Sequence, residues 1–283
     1  MSLPGSAPDV LFSTAAFFTR PLREGMRAIA DTGYPGVEVM VTKDPATQEA
    51  HLLRDLAREH DLRIAAIHAP FLLISRRVFG TDPIQKIYRS VHLAEEVGAP
   101  LVVVHPPYRW QSTYRRWLTE RLGDFAARTG VDIAVENMFP LRMRGERGVT
   151  VHAHQGLDEL ERFEHIVLDT SHAAVDGLDL LGSAERLHPR LTHVHVSNNA
   201  GKGWDSHLPV DRGVLPLREL LGAIAARGYT GSVALELDIR SELRSAEATR
   251  AVLLRNRELC ERWLAAGARA ISPGRGGVAS TAC

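Results

Sequence analysis

The chain has 283 residues, 34 basic and 34 acidic side chains, and 45% hydrophobic residues. That neutral, apolar composition excludes a disordered polyelectrolyte and any uniform attraction for nucleic acid, leaving only a local patch for such a partner. Two cysteines, Cys260 and Cys283, exclude a disulfide framework and nearly exclude thiolate metal sites, while the opening MSLPGSAPDV lacks the signature of a signal peptide.

Residues 1–9 read as a leader. A strand is expected at VLFST (10–14), then a helix in LREGMRAIADTG, with Leu22, Met26, Ile29 and Ala30 on one face and Gly33 as its stop. Strands follow at GVEVM (36–40) and RIAAIH (63–68). TDPIQKIYRSVHLAEEVG predicts a helix with Asp82 as N-cap, Pro83 in the first turn and Gly98 as the stop. LVVVH (101–105), DIAVE (132–136), HIVLD (165–169) and THVHV (192–196) are the next strands. LPLRELLGAIAARG carries Leu217, Leu220, Leu221, Ile224 and Ala225 on one face before Gly228, and SVALEL (232–237) and a helix over roughly 242–266 close the pattern. The Gly- and Ser-rich residues 267–283 predict a flexible tail.

The strand runs are continuously apolar, as parallel strands covered on both faces must be. Eight βα units over residues 10–266 predict a single α/β domain, a closed (β/α)8 TIM barrel; a doubly wound sheet would need a glycine fingerprint that is missing after the first strand. IAAIHAPFLLIS is too short to span a bilayer and is interrupted by His68 and Pro70. The expectation is a cytoplasmic protein without a membrane partner; no diagnostic interface element is visible, and a homo-oligomer is compatible with the sequence.

Chemistry-bearing residues recur at strand ends: Glu38, His68, His105, Glu136, Asp169, His195 and Glu236. In a barrel these ends converge on one mouth. Carboxylates and imidazoles gathered there would repel one another unless a divalent cation holds them. Nitrogen and oxygen donors without thiolates point to Zn or Mn, with Co or Mg as further choices. Taken singly, each residue has a plainer role. Asp169 can cap the helix that begins beside His172, Glu136 can make a loop salt bridge, and Glu38 is open between a structural and a liganding role. His193 shares strand parity with His195, which lies nearer the mouth and is the preferred ligand. His51, His60 and His92 read as surface, and His152 and His154 fall in a polar connection. Asp205 and His207 form a D-x-H pair that two ligands of one metal could share.

The motifs IHAPF, VVVHPP, AVENM, LDTSHA, HVHVSNN, WDSHLP and ALEL, in that order, resemble the xylose isomerase-like TIM-barrel superfamily over about residues 10–265. The group includes sugar phosphate isomerases and epimerases and the apurinic endonuclease IV family. The resemblance implies a four-ligand metal site of Glu136, Asp169, His195 and Glu236. His68 and His105, bridged by Glu136, match ligands of a second metal in the endonuclease; His172, Asp205 and His207 match those of its third. The chain departs from the family at Asn198, often an aspartate, and in LPVDRG, which keeps only Gly213 of a Pro-Gly-x-Gly turn. Both departures bear on the loop that would hold the third metal.

Two mechanisms fit this rim. In the preferred one, a metal-dependent isomerase or epimerase acts on a sugar, a polyol-derived ketose or a sugar phosphate, with Glu136 and Glu236 as catalytic acid and base. His172, His68 and His105 then contact substrate. The alternative is an endonuclease IV-like phosphodiesterase acting on abasic nucleic acid. A non-catalytic, metal-binding barrel is the third reading. Arg76, Arg77, Arg109, Arg115, Arg116, Arg142, Arg144, Arg147, Arg240 and Arg244 follow strands in the sequence. With Tyr108, Trp110 and Tyr114 they read either as a positive mouth for a phosphate or as solvated loop residues. Arg115, Arg116 and Arg142 are the candidate substrate contacts. By resemblance, Phe71 and Leu72 match a base-stack-probing loop of the endonuclease; packing at the rim is the simpler role for them.

Overall fold

The computed structural model describes residues 7–71, 75–140 and 149–270. Eight parallel strands close into a barrel in sequence order. They are β1 (Val10–Ser13), β2 (Gly36–Met40), β3 (Arg63–His68), β4 (Leu101–Val104), β5 (Asp132–Glu136), β6 (Ile166–Asp169), β7 (Leu191–Val196) and β8 (Ser232–Leu235). Around them lie α1 (Leu22–Ala30), α2 (Ala50–Glu59), α3 (Pro83–Val97), α4 (Ser112–Glu120), α5 (Leu122–Ala126), α6 (Leu157–Leu160), α7 (Thr170–Asp176), α8 (Leu180–Leu187), α9 (Leu217–Ala226) and α10 (Ala246–Ala270). This is the single-domain TIM barrel that the alternation of elements predicts.

Local chemistry sets the helix ends where it was expected to. Asp82 caps α3 by accepting from the Ile84 amide at 2.9 Å, and Gly98 ends it at φ +75°. α10 runs further than the expected 242–266: it begins at Ala246, after a short 3-10 turn at Glu242–Arg244, and continues to Ala270. Gly267 looks like a tail residue in the sequence. Within the helix it is where α10 meets α9, since a Cβ there would lie 2.1 Å from the Gly222 carbonyl oxygen. Close approach of two backbones, not helix propensity, selects glycine at this point.

Strand alternation builds two cores. Val102, Val104, Ile133, Val135, Ile166, Leu168, Val194, Val233 and Leu235 face the helices in one large apolar layer. Val103, Ala134, Val167 and Ala234 fill the barrel interior. Two residues beyond each of these comes a polar group: His105, Glu136, Asp169 and Glu236. His193 and His195 follow the same parity on β7. A side-chain period of two therefore places the ligand candidates one step above the interior apolar layer, at the C-terminal mouth. The register between β2 and β3 shifts between Val37 and Glu38.

Candidate metal centre

Four consecutive strands, β5 to β8, supply Glu136, Asp169, His195 and Glu236 in turn. His195 lies at their centre. Its Nδ1 is 3.0 Å from Glu136 Oε1, 3.1 Å from Glu236 Oε2 and 3.8 Å from Asp169 Oδ2. His68 and His105 approach the other carboxylate oxygen, with Nε2 atoms 3.4 and 3.1 Å from Glu136 Oε2. Glu136 thus faces two sets of donors, one through each oxygen. One ligand atom from each of His68, Glu136, His195 and Glu236 lies within 4.8 Å of the others.

The local sequence explains how Asp169 and His172 stand together. Asp169 Oδ1 accepts from the His172 amide at 2.6 Å and caps α7, while Oδ2 stays turned to the centre. The cap therefore uses one oxygen and leaves the other free to face the centre. His172 Nδ1 donates to the Asn137 carbonyl at 2.9 Å, and its Nε2 sits 3.5 Å from Asp205 Oδ2. His207 Nδ1 donates to the Glu236 carbonyl at 3.0 Å, and its Nε2 meets the same Asp205 oxygen at 2.7 Å. His68 Nδ1 donates to the Ala69 carbonyl at 3.1 Å. Each of these imidazoles gives one N–H to a backbone acceptor and turns the other nitrogen inward. That is how proteins fix the tautomer of a metal-binding histidine.

Behind His195 stands Glu38. It accepts from His195 Nε2 at 2.8 Å, from His193 Nε2 at 3.1 Å and from Ser13 Oγ at 3.0 Å. His193 Nδ1 accepts in turn from Ser232 Oγ at 2.7 Å. Glu38 is fully buried behind His195, and one atom each of Glu38, His193 and His195 also lies within 4.8 Å of the others. His193 likewise lies below the mouth, inside this network.

The residues fit a divalent cation. Glu136 Oε2, Asp169 Oδ2 and Glu236 Oε2 are buried carboxylate oxygens without a hydrogen-bond donor. Such oxygens are costly to leave unmatched, and all three belong to the rim set, none to the Glu38 network. Ligands about 2.0–2.2 Å from a tetrahedral ion lie roughly 3.3–3.6 Å apart, close to the separations above. Glu136, Asp169, His195 and Glu236 would hold the ion, with His68 and His105 beside it. Asp169, His172 and His207 form a second converging group.

Electrostatics agree. Against the burial penalty, the charge of His195, its hydrogen bond to Oε1 and the nearby His105 and His68 rings hold Glu136 well below the usual carboxylate range. Burial wins at Glu236 and raises its pKa. The neighbouring acids overcome burial at His68, raised to about 9, and at His172, raised to about 10. His105 goes the other way because burial outweighs the pull of the Glu136 carboxylate. The raised values favour protonated His68 and His172 rings, which bring positive charge to the mouth as a cation would.

The mouth opens into a cavity of about 390 Å³. His68, His105, Glu136, His172, Asp205, His207 and Glu236 form its polar side, and Met40, Met138, Phe139 and Leu237 its apolar walls. Arg240 lines it but is held by Asp238 through bonds of 2.8 and 2.5 Å. Arg115 and Arg116 do not line it; both are exposed on α4, whose buried face is Tyr114 and Leu118. Arg142, Arg144, Arg147 and Leu72 lie outside the described residues. Phe71 packs against the His105 and Tyr114 rings, at 5.9 and 5.8 Å, as part of the rim. His152 and His154 are buried, not solvated.

Asn198, the departure from the resembled pattern, anchors the β7 loop. Its Nδ2 donates to the Val210 carbonyl at 2.9 Å and its Oδ1 accepts from the Asn199 and Leu215 amides, both at 2.9 Å. Ser171 Oγ donates to Asp205 Oδ1 at 2.5 Å, tying the D-x-H pair to α7.

Fold and mouth together define a closed barrel with a nitrogen- and oxygen-donor centre at its C-terminal rim. The chain belongs to the xylose isomerase-like TIM barrel family, whose model matches residues 26–257. An uncharacterized protein of Mycobacterium tuberculosis is 39% identical over 267 residues, 87% of this chain and 94% of its own length. Fructoselysine 3-epimerase of Shigella flexneri is 21% identical over 240 residues, 77% of this chain and 85% of its own. The solved structure of an L-ribulose 3-epimerase superposes with a TM-score of 0.68 at 17% identity, covering 96% of this chain and 100% of that one. An AP endonuclease, family 2, from Brucella melitensis shares the fold at a TM-score of 0.61 and 18% identity, covering 82% and 94%.

Proposed function

We propose that the chain is a divalent-metal-dependent isomerase or epimerase of a sugar, a polyol-derived ketose or a sugar phosphate, working in the cytoplasm. The observation that carries this reading is the convergence of two glutamates, the buried Glu136 and the half-buried Glu236, on opposite flanks of the β6–β7 pair, each within 3.1 Å of His195 Nδ1. A Zn or Mn ion held by Glu136, Asp169, His195 and Glu236 would polarise a carbonyl and its neighbouring hydroxyl and so acidify the carbon-bound proton between them. Glu136 and Glu236 take that proton and return it, which requires carboxylates near the reacting carbon and little bulk water. His172, His68 and His105 hydrogen-bond substrate hydroxyls, and the walls formed by Met138 and Phe139 exclude solvent. A cavity of about 390 Å³ suits one small polar molecule. The epimerase among the sequence relatives supports the same reaction class.

One observation favours the phosphodiesterase reading. All nine residues of the endonuclease-like set converge, including the Asp205 carboxylate between His172 and His207. Metal analysis paired with activity separates the two. One ion per chain with deuterium entering a ketose from D2O supports the isomerase or epimerase. Three zinc ions per chain with nicking of an abasic oligonucleotide refutes it, and bound metal with neither activity leaves a non-catalytic barrel.

A further inference from the structure

A second cavity of about 300 Å³ opens beside the metal centre, between the β3 and β4 loops and the start of α3. His105 lines both cavities and so forms their common wall. Its chemistry differs from that of the first. Arg76 and Lys86 line it, and among the described residues no aspartate or glutamate does. Lys86 is 4% exposed. Its ammonium donates to the Pro70 carbonyl at 2.5 Å and the Ser75 carbonyl at 3.1 Å. Two carbonyls satisfy two of its three donors but do not neutralise its charge, and among the described residues it makes no ion pair. A cation held in that way, next to an open cavity and a second cation, is a place where an anion is stabilised.

The opposite wall is aromatic. Tyr108 and Trp110 stack at 4.7 Å with their planes 1° apart, and His152 stacks on the other face of Tyr108 at 4.6 Å. An antiparallel bridge between Tyr108 and His152 holds this platform in place. Burial lowers the His152 pKa to about 3, which keeps the ring neutral and leaves the charge of the cavity to Arg76 and Lys86. Trp110 remains 70% exposed at the entrance.

We propose that this cavity is a subsite for the anionic end of the substrate, an oxyanion of the phosphate or carboxylate class, bound by Lys86 and Arg76 while the sugar carbons reach past His105 to the metal centre. The proposal rests on the isomerase or epimerase reading and narrows its substrate to an anionic sugar. Phosphate and carboxylate share the recognition chemistry, and the experiment separates them.

Sodium phosphate and sodium acetate are titrated at constant ionic strength into metal-loaded wild-type protein, R76A and K86M. Calorimetry and tryptophan fluorescence are the readouts, with W110F as the optical blank. Saturable anion binding, weakened about tenfold or more in both variants, is expected. Tighter phosphate assigns a sugar phosphate, and tighter acetate a sugar acid. Saturation by neither anion overturns the proposal. So does unchanged affinity in R76A with only a lower Tm in K86M, which would make Lys86 a clamp for the β3 loop. R76A changes an exposed side chain and keeps the test decisive if K86M does not fold. Deuterium exchange into unphosphorylated D-ribulose reports the chemistry of the metal centre separately, so an empty anion site and a wrong reaction class give different results.

Discussion

Glu38→Gln keeps the size and shape of a side chain that nothing in the mouth touches except through His195. The carboxylate accepts three hydrogen bonds, from Ser13, His193 and His195. An amide has one oxygen to accept with and an NH2 that needs acceptors of its own. At least one of the three donors then faces another donor. The shortest bond, 2.8 Å from His195 Nε2, also matters most. If His195 turns its Nε2 lone pair toward the new NH2, the ring proton moves to Nδ1, the atom that faces Glu136, Asp169 and Glu236. Losing a hydrogen bond to a charged group costs about 1.5–3 kcal/mol. That corresponds to roughly 10–100-fold in metal affinity, the usual effect of removing such a support. The assay is competition between the protein and a chromophoric chelator for Mn(II) or Co(II), with circular dichroism confirming the fold. S13A, which leaves Glu38 its two imidazole donors, should weaken binding much less. An E38Q protein that is folded, melts at a lower temperature and binds metal within about threefold of wild type would refute the reasoning, because Glu38 would then support the barrel and not the ligand.

Other outcomes follow from the same geometry. E236Q removes a proposed ligand and proton carrier; deuterium exchange into a ketose should fall about 100-fold or more, and a near-normal rate would remove Glu236 from its assigned part. Metal binding should strengthen with pH. His68 at about 9 and His172 at about 10 are protonated in the metal-free fold, and their contribution to its stability, complete below the unfolded value of about 6.5, is lost as pH rises through those values. A cation displaces those protons, so the Tm gained on adding Mn(II) should grow between about pH 6 and 8, and a gain that shrinks over that range contradicts the assignment. G213A places a Cβ 2.3 Å from Asn198 Oδ1 at φ +149°; about 1–3 kcal/mol of stability should be lost, read from the urea midpoint, and an unchanged midpoint would mean that the β7 loop tolerates rearrangement.

The sequence by itself determined the barrel and which polar side chains gather at its mouth. Alternation along Val103–His105, Ala134–Glu136, Val167–Asp169 and Ala234–Glu236 is a property of neighbouring residues, and parallel strands covered on both faces leave one mouth for the polar ends to share. Caps such as Asp82 and Gly98 are equally local. The tertiary structure decided what depends on groups distant in the chain. Glu38 was ambiguous because its partners, His193 and His195, lie more than 150 residues away. Lys86 gave no signal, because a lysine beside an apolar helical stripe can run outward or back over the preceding turn, and only the loop carrying Pro70 and Ser75 fixes its direction. Arg115 and Arg116 follow a strand, yet the rotation of α4 points them to solvent. Gly267 reads as tail until Gly222 comes against it. Short-range periodicity fixes which way each strand residue faces; barrel closure fixes which of those residues meet, and that second decision has no local trace.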